Sequence, residues 1–73
     1  MHLAEDGLTQ RLETVILSSP HIPRHRVRLE NRAGHVVVRG AVDSYYQKQM
    51  TQEAILRVEG VEHLENQLEV HWA

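Results

Sequence analysis

Histidine is the first residue type here that could do chemistry, because six occur among 73 residues. A zinc site needs three or four imidazole, thiolate or carboxylate ligands that converge on one point. His21 and His25 lie on either side of Pro23 in a predicted loop, and the sequence has no cysteine. His63 and His71 share a face of a predicted strand but stand about 26 Å apart at 3.3 Å per residue. No metal site is predicted.

Catalytic groups are not brought together by spacing either. Ser18, Ser19 and Ser44 stand at predicted helix ends, where serine hydroxyls cap backbone groups. No acid is placed by spacing to orient a histidine as a general base. The remaining acids considered have no paired-carboxylate arrangement and are interpreted as solvated: Glu53, Glu59, Glu62 and Glu65. We therefore predict a non-enzymatic protein without a cofactor.

Basic residues form one local cluster, although the net charge of -2 provides no global attraction for polyanions. The cluster consists of Arg24, His25, Arg26, Arg28 and Arg32. Such a cluster attracts phosphate, whether from RNA or from a lipid headgroup. No aromatic residue is interleaved to stack a base and no G-x-x-G loop is present, so nucleic-acid binding is not expected. Anionic lipid stays open as a partner.

The elements that must position these residues begin with an amphipathic helix. Its apolar stripe consists of Leu8, Leu12, Val15 and Ile16. We place its N-cap at Asp6 and its end at residues 18–20. Residues 26–30 then alternate with period two, which predicts a strand with one buried face. Residues 31–34 are predicted to form the hairpin turn that follows.

A return strand, a second helix and a third strand complete the chain. The return strand is predicted to face the core with Val36, Val38, Gly40 and Val42, and solvent with His35, Val37, Arg39 and Ala41. Ser44 and Gln47 have capping-box spacing, so the second helix should start there and run to about Glu59, with Gly60 as a left-handed C-cap. The third strand is predicted to turn inward Leu64, Asn66, Leu68 and Val70.

A strand, a helix and a strand in succession close as a right-handed crossover, which makes the second and third strands parallel. The first two strands should pair antiparallel. The helices are expected to cover the face that carries Val27, Leu29, Val36, Val38 and Leu68. The predicted fold is a single α+β domain over residues 1–73, an αββαβ sandwich with two helices packed on one face of a three-stranded mixed sheet. With no phenylalanine, its core must be aliphatic.

The second helix leaves two large apolar residues on its outer side. At 100° per residue Tyr45 and Leu56 fall on the side beside Gln49 and Gln52, with Lys48 and Arg57 nearby. The opposite, core-facing side consists of Gln47, Thr51, Ala54, Ile55 and Val58. This composition is typical of a shallow contact with a membrane or a partner groove. Ordinary scattered exposure is the alternative explanation.

The uncovered sheet face is predicted to carry charges of both signs. Its members are Arg26, Arg28 and Glu30 from the first strand, Arg39 from the second, and Glu65 and Glu69 from the third. A solvated, mutually neutralised face is favoured over a docking surface. Trp72 has two interpretations as well, since it either covers the open end of the core or anchors at a headgroup region.

No stretch approaches the roughly 18 apolar residues of a spanning helix, so no transmembrane segment is predicted. The first residues lack the pattern of a signal peptide. The absence of cysteine leaves the redox compartment undetermined.

Two segments resemble the motifs of the BON domain, the module named from bacterial OsmY and nodulation proteins. The first aligns with V-x-L-x-G-x-V-x-S through Val36, Val38, Gly40, Val42 and Ser44. The second aligns with G-V-x-x-V-x-N-x-L-x-V through Gly60, Val61, Leu64, Asn66, Leu68 and Val70. The resemblance implies the same α+β fold, no catalytic residues, and binding to phospholipid, membranes or envelope partners. It also implies a periplasmic or envelope location, with the cytoplasm left open because no signal peptide is seen.

Two hypotheses follow. The first is a phospholipid or membrane-surface binding module, whose contact residues would be Tyr45, Lys48, Gln49, Leu56 and Arg57, helped by Arg24, Arg26 and Arg28. The second is an interaction or regulatory domain appended to a larger protein, which docks through the bare sheet face or an edge strand.

Overall fold

The structure is a computed structural model that describes residues 3–71, with side chains from residue 7 onward. Its elements are α1 (Leu3–Ser18), β1 (Val27–Arg32), β2 (His35–Val42), α2 (Tyr45–Leu56) and β3 (His63–Val70). A single 3-10 turn, Arg24–Arg26, precedes β1. This order is the predicted αββαβ order.

The three strands form one sheet in the order β1-β2-β3. β1 pairs antiparallel with β2, and β2 pairs parallel with β3 across the α2 connection. α1 lies beside β1, while α2 lies mainly over β3. The predicted α+β sandwich with a mixed sheet is therefore confirmed, and β1 and β3 are its two edges.

The core lies between the helices and one face of the sheet, and it is aliphatic. Its buried apolar side chains are Leu8, Leu12, Ile16, Ile22, Val36, Val38, Val42, Ile55, Val58 and Leu68. Thr51 is also fully buried, and its hydroxyl donates to the Gln47 carbonyl at 2.8 Å, which satisfies the polar group inside the helix. Val27 and Leu29, predicted as inward residues of β1, are only half-buried because they lie at the sheet edge.

The β1–β2 hairpin is tighter than predicted. Instead of turning over residues 31–34, β1 continues to Arg32, which pairs with His35. Only Ala33 and Gly34 form the turn, with φ angles of 52° and 91°, as two-residue hairpin turns of the I′ type require. The Asn31 side-chain oxygen accepts the Gly34 N–H at 3.1 Å, so this turn-forming residue acts from within the strand.

The N-cap prediction is confirmed for α2 and is wrong for α1, although α1 does end at Ser18 as predicted. The chain is already helical at Leu3, so Asp6 lies inside α1 and is not its cap. At the start of α2 the Ser44 hydroxyl accepts the Gln47 N–H at 3.1 Å. The Gln47 side chain reaches back to accept the Asp43 N–H at 2.7 Å, one residue before the position expected for a capping box.

The end of α2 also differs from the prediction. The helix stops at Leu56 and does not reach Glu59. The Val58 N–H bonds to the Ile55 carbonyl at 3.0 Å, a spacing of three residues that tightens the last turn. Gly60 does adopt positive φ, at 106°, but in the turn after the helix and not at its cap.

Gly40 allows the sheet to approach the 3-10 turn. It pairs with Val27 and has a φ of 138°. A Cβ at this position would lie 1.9 Å from the Arg26 carbonyl oxygen, well inside any permitted contact. Only glycine leaves room for that backbone, which explains a glycine in the middle of a strand.

Replacing Gly40 by alanine is expected to lower the free energy of unfolding by about 2–4 kcal/mol, because the clash is with backbone and the φ angle is unfavourable. Gly7→Ala is the matched control, since no atom lies within 4 Å of the added Cβ. In a helix interior that change should raise the free energy of unfolding by about 0.5–1 kcal/mol. Urea titrations followed by circular dichroism measure both variants. Equal stabilities would contradict the assignment.

Candidate functional site

Five chain segments meet at one end of the sandwich, which we call the loop end, and one of them is the end of β3, where the His71 N–H bonds to the Val42 carbonyl at 2.8 Å. Because β1 and β2 are antiparallel, the turn Arg24–Arg26 lies beside the end of β2. α2 starts directly after β2, and α1 ends at the loop that leads into the turn. The loop end comprises Leu17, His21, Arg24, His25, Arg26, Asp43, Tyr45 and Tyr46.

Large apolar side chains are concentrated at the loop end. Leu17, Tyr45 and Tyr46 are 61%, 64% and 58% exposed. The Tyr46 ring meets the His21 imidazole edge to face, with centroids 5.4 Å apart, and this contact joins the start of α2 to the loop after α1. Leu56, the other exposed large apolar residue among the described side chains, lies at the far end of α2. The exposed apolar surface is therefore not scattered evenly.

The positive charge at the loop end is divided between paired and unpaired groups. Arg26 donates two hydrogen bonds to the two carboxylate oxygens of Asp43, each at 3.1 Å. The hydrogen bond and the charge of Arg26 hold the pKa of Asp43 below its usual range, so the pair stays ionised at neutral pH. Arg24 and His25 are exposed and have no carboxylate partner among the side chains that the structure describes.

The residues predicted on α2 do not form a single patch. Only the tyrosine at the first position of the helix lies at the loop end. Lys48 is half-buried, and the Gln49 amide donates to the Glu53 carboxylate at 3.2 Å within the helix. Leu56 and Arg57 are exposed at the opposite end of α2, about 16 Å from its start at 1.5 Å per residue.

The basic cluster is also divided by the secondary structure. Arg24 and Arg26 belong to the 3-10 turn, whereas Arg28 and Arg32 lie on β1. Alternation along the strand places Arg28 and Arg32 on the outer face of the sheet, where both are exposed. The cluster therefore faces two surfaces.

The centre of the outer sheet face neutralises its own charge, whereas the arginines of β1 on that face have no carboxylate partner among the described side chains. Arg39 contacts the Glu30 carboxylate at 3.4 Å and the Gln67 side-chain oxygen at 3.0 Å. These contacts favour the solvated interpretation of this face over the docking one. The prediction that Arg26 belongs to this face is wrong, because the residue precedes β1 and turns to Asp43.

Two histidines meet in a way that sequence spacing did not indicate. His35 and His63 are neighbours in the β2–β3 register, with ring centroids 5.9 Å apart. A Glu65 carboxylate oxygen lies 3.8 Å from Nε2 of His35. Across residues 3–71 the structure holds no set of three His, Cys, Asp or Glu side chains placed for a metal ion. Within the same range, no helix is long and apolar enough to cross a bilayer.

Sequence reasoning missed four residues of the loop end: Leu17, His21, Asp43 and Tyr46. A signal existed for Leu17, since it falls outside the apolar stripe of α1. The contact between Tyr46 and His21 depends on the conformation of the loop after α1, which the hydrophobic periodicity of the sequence does not predict. Trp72, predicted as an end cover or an anchor, lies outside the described residues.

The motif residues hold the fold together. Three buried valines of β2 fill the core: Val36, Val38 and Val42. A Cβ on residue 60 would lie 3.3 Å from the Leu8 side chain, so Gly60 allows Leu8 to pack closely against this turn. Val61 is half-buried and packs against the core. The Asn66 amide donates to the Gln52 side chain at 3.0 Å and to the Lys48 carbonyl at 3.4 Å, which ties β3 to α2.

Comparison with known proteins agrees with this arrangement. The family model of the BON domain matches residues 4–71, a range that includes every strand of the sheet. No curated protein matches the chain. The BON domain is a non-catalytic module, and its family is associated with the bacterial envelope. The match confirms the resemblance seen in the two sequence motifs, and the chain belongs to the BON domain family.

Proposed function

We propose that this domain is a non-enzymatic module of the bacterial cell envelope that binds anionic phospholipid surfaces through its loop end. The observation that carries the proposal is that exposed Leu17, Tyr45 and Tyr46 lie at the same end of the fold as the basic turn that begins at Arg24. Tyrosine suits a membrane interface because its ring is apolar and its hydroxyl stays hydrated.

Charge supports the same orientation. The chain has a net charge of -2, so attraction to an anionic surface must be local. Arg24 supplies that local charge. Arg26 contributes little while Asp43 pairs with it. Binding should therefore be modest and weakened by salt, because screening acts over about 8 Å at physiological ionic strength.

The outer side of α2 remains a second possible part of the contact. Lys48, Gln49, Leu56 and Arg57 would join only if α2 lay flat on the membrane. If the loop end faces the lipid, Leu56 lies up to about 16 Å farther from the membrane surface than Tyr45, because the length of α2 separates the two residues. Arg28 would approach the lipid only from the sheet side.

The alternative function is a protein-interaction or regulatory role within a larger protein. Its support is the edge of β1, which pairs with no strand other than β2 in residues 3–71, whereas Arg39 at the centre of the outer sheet face is occupied by Glu30. A partner that added a strand there would not need the loop end.

Replacing Tyr46 by serine should weaken binding to phosphatidylglycerol bicelles about fivefold, since a ring leaves the contact. Amide NMR titration of the labelled domain measures this, with phosphatidylcholine bicelles at matched salt as the lipid control. Wild-type shifts are expected in residues 17–26 and 43–46, and only with the anionic lipid. Leu56→Ser is the matched variant and should bind like wild type. An unperturbed wild-type spectrum would refute lipid binding, and equal losses in both variants would move the contact to the long side of α2.

Asp43→Asn should strengthen binding to phosphatidylglycerol vesicles about fivefold at low salt, because it frees Arg26 and removes one negative charge. The lowered pKa of Asp43 keeps this carboxylate charged at neutral pH, so the pair masks Arg26 in the wild type. Arg26→Gln is the control, and should change affinity little. Vesicle co-sedimentation gives the affinities. Equal binding by Asp43→Asn and the wild type would show that the loop end does not face the lipid.

A further inference from the structure

β1 is a free edge of the sheet, with backbone groups available for pairing. Arg32 and His35 flank the two-residue turn, so their backbone N–H and C=O groups bond to each other. Every second residue pair between β1 and β2 bonds in the same way. The N–H and C=O groups of the alternate residues, Val27 and Leu29, therefore point away from β2. Such unpaired groups form a template for a further strand.

An apolar groove runs along this edge. It has a volume of about 640 Å³ and lies between β1 and the C-terminal half of α1. Its apolar lining consists of Ile16, Leu17, Val27 and Leu29. Arg24 and His25 line it as well, and Glu13 is its acidic residue. Beyond the groove the Asn31 amide donates to the Thr9 hydroxyl at 3.4 Å, which brings α1 against β1 there. The open stretch of edge is therefore about as long as four or five extended residues.

The charge along this edge is mainly positive, because Glu30, between Arg28 and Arg32, is paired with Arg39. Arg24, Arg28 and Arg32 recur at every fourth residue and are exposed. None of the three has a carboxylate partner among the described side chains, in contrast to Arg26 and Arg39. An added strand would present alternate side chains beside Arg28 and Arg32 on the outer face, where acidic residues are favoured.

The opposite edge is obstructed. The His71 N–H bonds to the Val42 carbonyl across the β2–β3 ladder, so even-numbered residues of β3 direct their backbone groups outward. The Leu68 N–H is one of these, and it is already bonded to the Asn66 side-chain oxygen at 3.1 Å. Asn66 thus caps the middle of the β3 edge, which leaves β1 as the open one.

A second copy of this chain fits the β1 edge poorly. Two β1 strands paired antiparallel would bring the arginine rows of the two copies together, and like charges opposite each other are destabilising. Pairing β1 with β3 of another copy would meet the edge that Asn66 caps. The occupant should therefore be a segment of a different protein.

We propose that β1 accepts an extended peptide as a fourth strand, and that this peptide alternates apolar and acidic residues. Its backbone bonds to Val27 and Leu29, its apolar side chains enter the groove over Leu17, and its acids face Arg28 and Arg32. Strand addition of this kind draws affinity from the backbone and specificity from alternate side chains. It goes beyond lipid binding, because a lipid cannot use the strand edge.

The test uses a capped synthetic peptide, Glu-Val-Glu-Val-Glu-Val, titrated into the labelled domain and followed by amide NMR. Shifts are expected in β1 and in residues 13–17 of α1, with slower hydrogen exchange of the Val27 and Leu29 amides. A Lys-Val-Lys-Val-Lys-Val peptide should bind at least about tenfold more weakly. Shifts confined to parts of the domain other than β1 and residues 13–17, equal binding of both peptides, or no shifts at millimolar peptide would overturn the proposal.

Two variants sharpen the test. Arg28→Ser combined with Arg32→Ser alters only exposed side chains, and should weaken binding of the acidic peptide about fivefold. Leu29→Pro removes an outward N–H without touching the β1–β2 ladder, and should abolish binding if circular dichroism shows that it folds. Tyr46→Ser, a loop-end variant, should leave peptide binding unchanged. Sedimentation that showed a concentration-dependent dimer without peptide would assign the edge to a second copy and overturn the proposal.

Discussion

The approach of the Arg26 carbonyl to Gly40 is the contact on which the rest of this structure depends. A side chain at residue 40 would fill the space that the Arg26 backbone occupies. With glycine there, the 3-10 turn can enter β1 directly and β1 can pair with β2 along its whole length. The same approach carries the Arg26 side chain to Asp43, and so draws the loop after α1 toward the start of α2. The loop end exists because these two backbones touch.

Pairing of charges separates surfaces that can bind from surfaces that cannot. Arg26 pairs with Asp43 and Arg39 pairs with Glu30, so the positive charges of these two arginines are neutralised within the molecule. Arginines on the 3-10 turn and along the β1 edge have no such partner among the described side chains. Unpaired charge beside exposed apolar side chains therefore occurs at the loop end and along the groove next to it. The two surfaces adjoin, and Leu17 and Arg24 contribute to both.

The element order, the strand directions and most of the core could be predicted from periodicity, because burial repeats with the geometry of each element. Boundaries were less predictable. Asn31 was assigned to the turn, yet it serves that turn through its side chain from inside β1. Asp6 has a side chain that can cap a helix, but it lies within α1. Gly60 has the positive φ expected of a C-cap residue, but it lies in the turn after the end of α2. In each case the residue type was correctly associated with a turn or a helix end. Contacts with neighbouring residues decided where in the sequence that turn or helix end lies.

The sequence by itself determined the family, the α+β class, the aliphatic core and the outward position of Tyr45 and Leu56. These follow from residue type and spacing along one chain. The tertiary structure alone decided which exposed residues share a surface. It joined Tyr46 to His21, and it paired Arg26 with Asp43 while Arg24 and Arg28 have no carboxylate partner among the described side chains. Loop conformation and strand pairing set these contacts, and neither is encoded in the sequence spacing of the residues that they bring together.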